Sequence, residues 1–177
     1  MNILENKLSN YIINVKRPIV ILCIGSMKVL MDSYGPKVGS LLNEYINNEF
    51  LLNGSFPNKI YYIYGTINKP IHALNILDMI NSINRKIINP YIIAIDSCLG
   101  DKKDIGKIKI LNKSIQLGKG VGKDLIKIGN LSIIAILGED TGDVNNNYNN
   151  LINCDERLLN NLIKKTSNTI YNVLSNI

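Results

Sequence analysis

The stretch Pro18-Ile-Val-Ile-Leu-Cys-Ile-Gly25 decides the fold class. It is a nearly continuous apolar run. Runs of this kind with helices between them mark parallel strands covered on both faces. Two more such runs follow, Pro90-Tyr-Ile-Ile-Ala-Ile-Asp96 and Leu131-Ser-Ile-Ile-Ala-Ile-Leu137, and Lys59-Ile-Tyr-Tyr-Ile-Tyr-Gly65 reads as a further strand. Gly106 to Leu111 alternates Lys and Ile, the pattern of a strand with one wet face at a sheet edge.

Helical spacing fills the intervals. Leu4, Leu8, Tyr11, Ile12 and Val15 line one side of a short N-terminal helix. Pro36 suits the first turn of the next helix, where its missing N–H has no partner anyway. Val38, Leu41, Leu42, Tyr45 and Ile46 then form the buried face of that helix. A further helix is predicted from Ala73 to Ile88, and a long one from Asp155 to Leu174. The polar, Asn-rich segment from Gly138 to Asn150 reads as a loop. This alternation predicts an α/β protein, a three-layer α/β/α sandwich on a mostly parallel sheet. No internal repeat or Pro/Gly linker divides it, so residues 1–177 are expected to form a single domain.

Composition narrows the field of functions. With 46% hydrophobic and 19% charged residues, the chain can bury a core, which excludes wholesale disorder. No apolar block reaches the roughly 18 residues of a membrane span, so a soluble protein without a membrane partner is expected. Met1 to Asn14 carries Glu5 and Lys7 and has no small-residue cleavage site, unlike a secretory signal. Cys23, Cys98 and Cys154 are odd in number and widely spaced, which argues for a reducing cytosol. Cys23 and Cys98 lie in or beside very apolar segments and read as small hydrophobes. The net charge of +6 comes from scattered Lys in a chain rich in Ile and Asn, a bias typical of AT-rich coding. It forms no Arg/Lys stripe with interleaved aromatics, so no specific nucleic-acid partner is implied.

In open α/β sheets, ligands bind outside the carboxyl ends of the strands. The predicted strands deliver Asp32, His72, Asp96 and Glu139 to that rim. Two neighbouring carboxylates cannot both ionise cheaply, so one holds a proton and can act as acid while the other acts as base. With the imidazole, the same groups are candidate ligands for a divalent metal, namely Asp32, Asp96, His72 and Glu139, although nothing in the sequence requires a cofactor. Asp and Ser after strands also serve as helix caps and turn formers, and a lone His at a helix start as a structural donor. Ser114 to Asp124 is the Gly-rich loop, with Gly118, Gly120 and Gly122. It lacks the nucleotide-binding pattern, because Leu117 stands where the first Gly belongs and Asp124 where a hydroxyl belongs. It fits either a tight turn between strands or a close backbone approach to an extended peptide. No Gly-x-Ser-x-Gly elbow is present, and Cys98 with His72 is a more remote nucleophile arrangement.

Asp32-Ser-Tyr-Gly-Pro, Tyr64-Gly-Thr with Pro70-Ile-His72-Ala-Leu-Asn75, Ala94-Ile-Asp96-Ser-Cys-Leu-Gly100 and the 116–122 loop together resemble the sporulation protein YyaC family of spore-protease-like proteins. The resemblance runs from about Pro18 to Leu137. The order of features is also similar to the germination protease of spore-forming bacteria, which degrades small acid-soluble spore proteins. More distantly it resembles the hydrogenase maturation endopeptidases, whose fold it implies. The resemblance implies a peptidase with Asp32 and Asp96 as catalytic pair, and His72, Gly118, Gly120 and Gly122 orienting a protein or peptide substrate. It further implies a cytoplasmic location in the forespore or spore core. The alternative is a non-catalytic sporulation protein that keeps the scaffold as a peptide-binding module, since fold does not fix function. The oligomeric state is open.

Overall fold

The computed structural model describes residues 1–53, 61–117 and 126–176. In chain order the elements are α1 (Ile3–Ile12), β1 (Ile19–Cys23), α2 (Tyr34–Asn53), β2 (Tyr61–Tyr64), α3 (Ile76–Lys86), β3 (Tyr91–Gly100) and β4 (Ile108–Leu111). They continue with β5 (Ile115–Leu117), β6 (Ile126–Ile128), β7 (Leu131–Glu139), α4 (Val144–Ile152) and α5 (Glu156–Ser175). Five strands form one sheet in the order β2-β1-β3-β7-β4, and β5 and β6 pair as a separate two-stranded unit. All pairings in the large sheet are parallel except β4 with β7. The expected mostly parallel sheet is therefore present, with the Lys/Ile-alternating strand at its edge.

The apolar runs bury both faces as their continuity required. Ile19, Ile21 and Cys23 of β1 face a core shared with α1, α2 and α5, while Val20 and Leu22 face α3 and the β5–β6 pair. The layer beyond this second face is thus one helix and a hairpin rather than helices alone. Asn2 and Glu5 close a capping box at the start of α1, and Glu5 also accepts a hydrogen bond from Asn172 of α5 at 2.8 Å. In the core, the Tyr34 hydroxyl and the Thr166 hydroxyl share a hydrogen bond at 2.6 Å, which satisfies both buried groups. Among the described residues no helix is long and apolar enough to cross a membrane.

Two sequence readings need correction. The Asn-rich segment is partly helical: Asp143 caps α4 by accepting the Asn146 N–H at 2.8 Å. The third apolar strand does not stop at Asp96 but runs on to Gly100 beside β7, with a register shift between Cys98 and Leu99. The loop residues Gly118, Gly120 and Gly122 lie outside the described residues. The segment that holds them is flanked by β5 and β6.

The strand order reverses around β1, with β2 placed on one side and β3 on the other. The crevice of this switch point is set by how α2 starts. A side chain at Gly35 would overlap the carbonyl oxygen of Ile24, and one at Gly39 that of Gly65. These positions lie one helical turn apart on the same face, so the first turns of α2 rest directly on the chain leaving β1 and β2. Gly35→Ala and Gly39→Ala should each cost about 2–4 kcal/mol, because backbone must move to admit the methyl group. Gly142→Ala should cost only about 1 kcal/mol, the strain of a positive φ in open space. Urea denaturation of the three variants checks this order.

Candidate active site

Asp32 belongs to a single 3₁₀ turn, Met31–Ser33, that enters α2. Met31 and Ser33 on either side of it are buried, which turns Asp32 outward, half-exposed. Ser33 donates its hydroxyl to the Leu30 carbonyl at 2.7 Å, and Ser97 of β3 donates its own to the Met31 carbonyl at 2.9 Å. The second bond ties the turn to β3 next to Asp96. Oδ2 of Asp32 accepts the Ser26 N–H at 3.1 Å, across the loop that leaves β1. Gly25 makes that loop passable, since its φ is +143 and a side chain there would strike the Asp32 carbonyl.

Asp96 sits where β3 loses one neighbour. The pairing of β1 with β3 ends at Cys23 and Ile95, after which the Ile24 N–H still reaches the Ile95 carbonyl at 2.8 Å. On its other side Asp96 pairs with Ile134 of β7. Its carboxyl therefore stands on the sheet face of the apolar second core, at the mouth of the crevice. Burial raises its pKa from the usual carboxylate range to about 7, the Ser97 N–H at 2.8 Å lowers it, and the Asp32 charge raises it again. Lys109, across Ile134 in the same row, is held by Asp104 at 2.6 Å. The Asp32 charge is thus felt at Asp96.

Asp96, Ser97 and Cys98 form one wall of a cavity of about 490 Å³. Lys113, Ser114, Ile115, Gln116 and Lys127 bring the β5–β6 unit to the opposite wall, over a floor that includes Leu111 and Ile134. Ser114, Ile115 and Gln116 fall in the Gly-rich segment singled out from the sequence, whereas nothing in the sequence marks them as a strand or points to Lys113 and Lys127. Strands of three residues are too short to show a period, and Lys113 and Lys127 look like ordinary surface charges.

The other predicted groups are placed differently. His72 reaches the same rim, because Ile71 bridges to Ile24 and accepts the Gly25 N–H at 2.7 Å. Its Nδ1 accepts the Leu74 N–H at 3.3 Å and its backbone N–H donates to Asn75 at 2.8 Å, so the imidazole is engaged in its own turn. Glu139 lies at the end of β7 opposite Gly100, past Asp96 along the strand pair. Among the described residues no three of His, Cys, Asp and Glu gather closely enough to hold a metal ion. Asp32, Asp96, His72 and Glu139 therefore do not form the metal cluster considered from the sequence. The Cys98 thiol lines the cleft instead of filling the core, and burial with the Asp96 charge pushes its pKa up, away from a thiolate nucleophile. Cys23 is fully buried, and all three cysteines are free.

Asp96 also has a consequence for stability. Its folded pKa lies above the value in the unfolded chain, so the fold holds the proton more tightly and loses stability as pH rises from about 4 through about 7. Asp96→Asn keeps an oxygen for the Ser97 N–H and removes the charge. The variant should be more stable than the parent at pH 8 by about 1–2 kcal/mol, with the difference vanishing near pH 4. Thermal melts across that range measure it.

Comparison with known proteins places these features in context. Residues 1–173 match the family model described as "Protein of unknown function (DUF1256)". The chain is 38% identical over 121 residues to "Uncharacterized protein YyaC" of Bacillus subtilis (strain 168), an alignment covering 68% of this chain and 54% of that protein. The chain thus spans about half the length of this curated relative. Among solved structures it is similar to the [NiFe] hydrogenase maturation protease HycI from Thermococcus kodakarensis KOD1, with a TM-score of 0.58 and 15% identity. That match covers 95% of this chain and 98% of the other, and it shows a shared protease-like fold. The resemblance to the YyaC family is borne out, and that to the hydrogenase maturation endopeptidases is borne out at the level of the fold.

Proposed function

The chain belongs to the DUF1256 family, and we propose that it is a peptidase that hydrolyses an extended protein segment with Asp32 and Asp96 as its working pair. The observation that carries this reading is the placement of Asp96 in the wall of the cavity, within reach of the Asp32 charge. A carboxyl poised to keep its proton near neutral pH, in a cleft and beside a second carboxylate, is the arrangement that acid–base hydrolysis needs. In this reading Asp96 is the acid and Asp32 the base. Ser26 occupies Oδ2 of Asp32, which leaves Oδ1 to take a proton from water as the water oxygen attacks the scissile carbonyl carbon. Asp96 gives its proton to the carbonyl oxygen. The tetrahedral intermediate collapses as the C–N bond breaks: the proton gained by Asp32 passes to the leaving amine, and one of the two hydroxyls returns its proton to Asp96 as the carboxyl C=O forms. A metal is not written into these steps, because the donor set does not gather.

The resemblance to the germination protease supports small acid-soluble spore proteins as the first substrate class to screen, and the forespore or spore core as the place of action. The test uses the purified chain on extracts of dormant spores, with and without added divalent metals. Cleavage is expected from the parent protein, and Asp32→Asn and Asp96→Asn should each lower kcat by about 10² to 10⁴-fold. Activity should fall as pH rises through about 7, because Asp96 must arrive protonated. Cleavage that survives in both Asn variants removes the paired-carboxylate mechanism. Capture of peptide without any cutting identifies a binding module on the same scaffold.

A further inference from the structure

The cavity holding Asp96 is lined by the residues that lead into and form β5. Lys113, Ser114, Ile115 and Gln116 line it in succession, while β6 contributes only Lys127. Among the described residues β5 pairs with β6 and with no other strand. The edge of β5 opposite β6 therefore presents backbone N–H and C=O groups at strand spacing, the chemistry that a second extended main chain complements.

We propose that the substrate's main chain adds to β5 as a further strand, with its scissile amide laid against Asp96. The occupant is named on the strength of the peptidase reading; the edge itself is independent of it. Side chains of an added strand continue the two faces of β5. Ile115 is 7% exposed and faces the second core, so alternate substrate side chains lie over the apolar floor of Leu111 and Ile134. The others project with Gln116 and Lys127, which pair across the hairpin and are exposed. The structure thus selects extended segments of alternating apolar and polar residues, without proline where the backbone must donate.

The experiment exposes the purified chain to a mixture of random-sequence peptides and identifies those that are cut. The best of them is then remade with one backbone N-methyl group at a time. Strand addition predicts loss at every second position, about three- to tenfold in kcat/KM for each removed hydrogen bond, mainly through KM. Ser114→Pro, which removes an edge N–H outside the β5–β6 pairs, should give a similar loss with an unchanged melting temperature. If that variant melts early, the N-methyl series on the parent protein stands alone. Uniform sensitivity, or none, overturns the proposal while leaving the peptidase reading in place. If nothing is cut, the same series is measured by fluorescence anisotropy of peptide binding. Alternating sensitivity there keeps the strand edge and removes the peptidase reading, and a protein that neither cuts nor binds overturns both.

Discussion

The start of α2 rests on bare backbone, and the geometry of the site follows from that contact. Gly35 and Gly39 let the helix meet the Ile24 and Gly65 carbonyls with no side chain between them. A helix held at that distance fixes the turn that precedes it, so Met31–Ser33 is pressed onto β3 and bonded there by Ser97. Asp32 rides on this turn. Its position is set by main-chain packing, by two buried neighbours and by the Ser26 N–H on Oδ2, which together hold the half-exposed side chain in place.

Asp96 reaches the same point by a different route. It replaces an apolar residue in a row of the sheet where β1 no longer pairs, with Ile134 on one side and the second core beneath it. The fold there tolerates a carboxyl far better than a carboxylate. Burial thus holds Asp96 toward its neutral form. Asp32 reinforces this from across the crevice, and Lys109 does not relieve it because Asp104 already holds that ammonium. A purely structural Asp at a strand end would be expected to accept several backbone N–H groups and sink below the usual range. Asp96 accepts one, from Ser97.

Much of this was legible in the residues. Both-face burial of β1, β3 and β7 follows from continuous apolar runs, and the wet edge of β4 from its Lys/Ile alternation. Asp32 and Asp96 stood out because each follows or interrupts such a run on the rim where ligands bind. What escaped had weak local signals. α4 buries no residue, and its Asn-rich composition favours turns over helix, so only the Asp143 cap and the Val144, Tyr148, Ile152 spacing marked it. β5 and β6 are too short for periodicity to speak, and their pairing is fixed by Ile115 and Ile128 docking on the second core. His72 looked like a member of the site because the lone imidazole falls at a strand end. Its Nδ1 bond to Leu74 shows the local use that a single sequence cannot separate from a chemical one.

The division between core and cleft wall bears on which parts of such a scaffold can change. Asp32 and Asp96 are placed by the sheet, the α2 start and one interstrand hydroxyl, all of which depend on patterning and small residues more than on residue identity. A protease-like fold can therefore be shared with HycI at 15% identity, because volume and polarity pattern are enough to rebuild such a core. The facing wall is made by a hairpin outside the main sheet, anchored by two isoleucines. Substitutions at Lys113, Ser114, Gln116 or Lys127 alter what lies opposite Asp96 without touching the elements that position it. These wall positions are thus free to diverge while Asp32 and Asp96 stay where the sheet puts them.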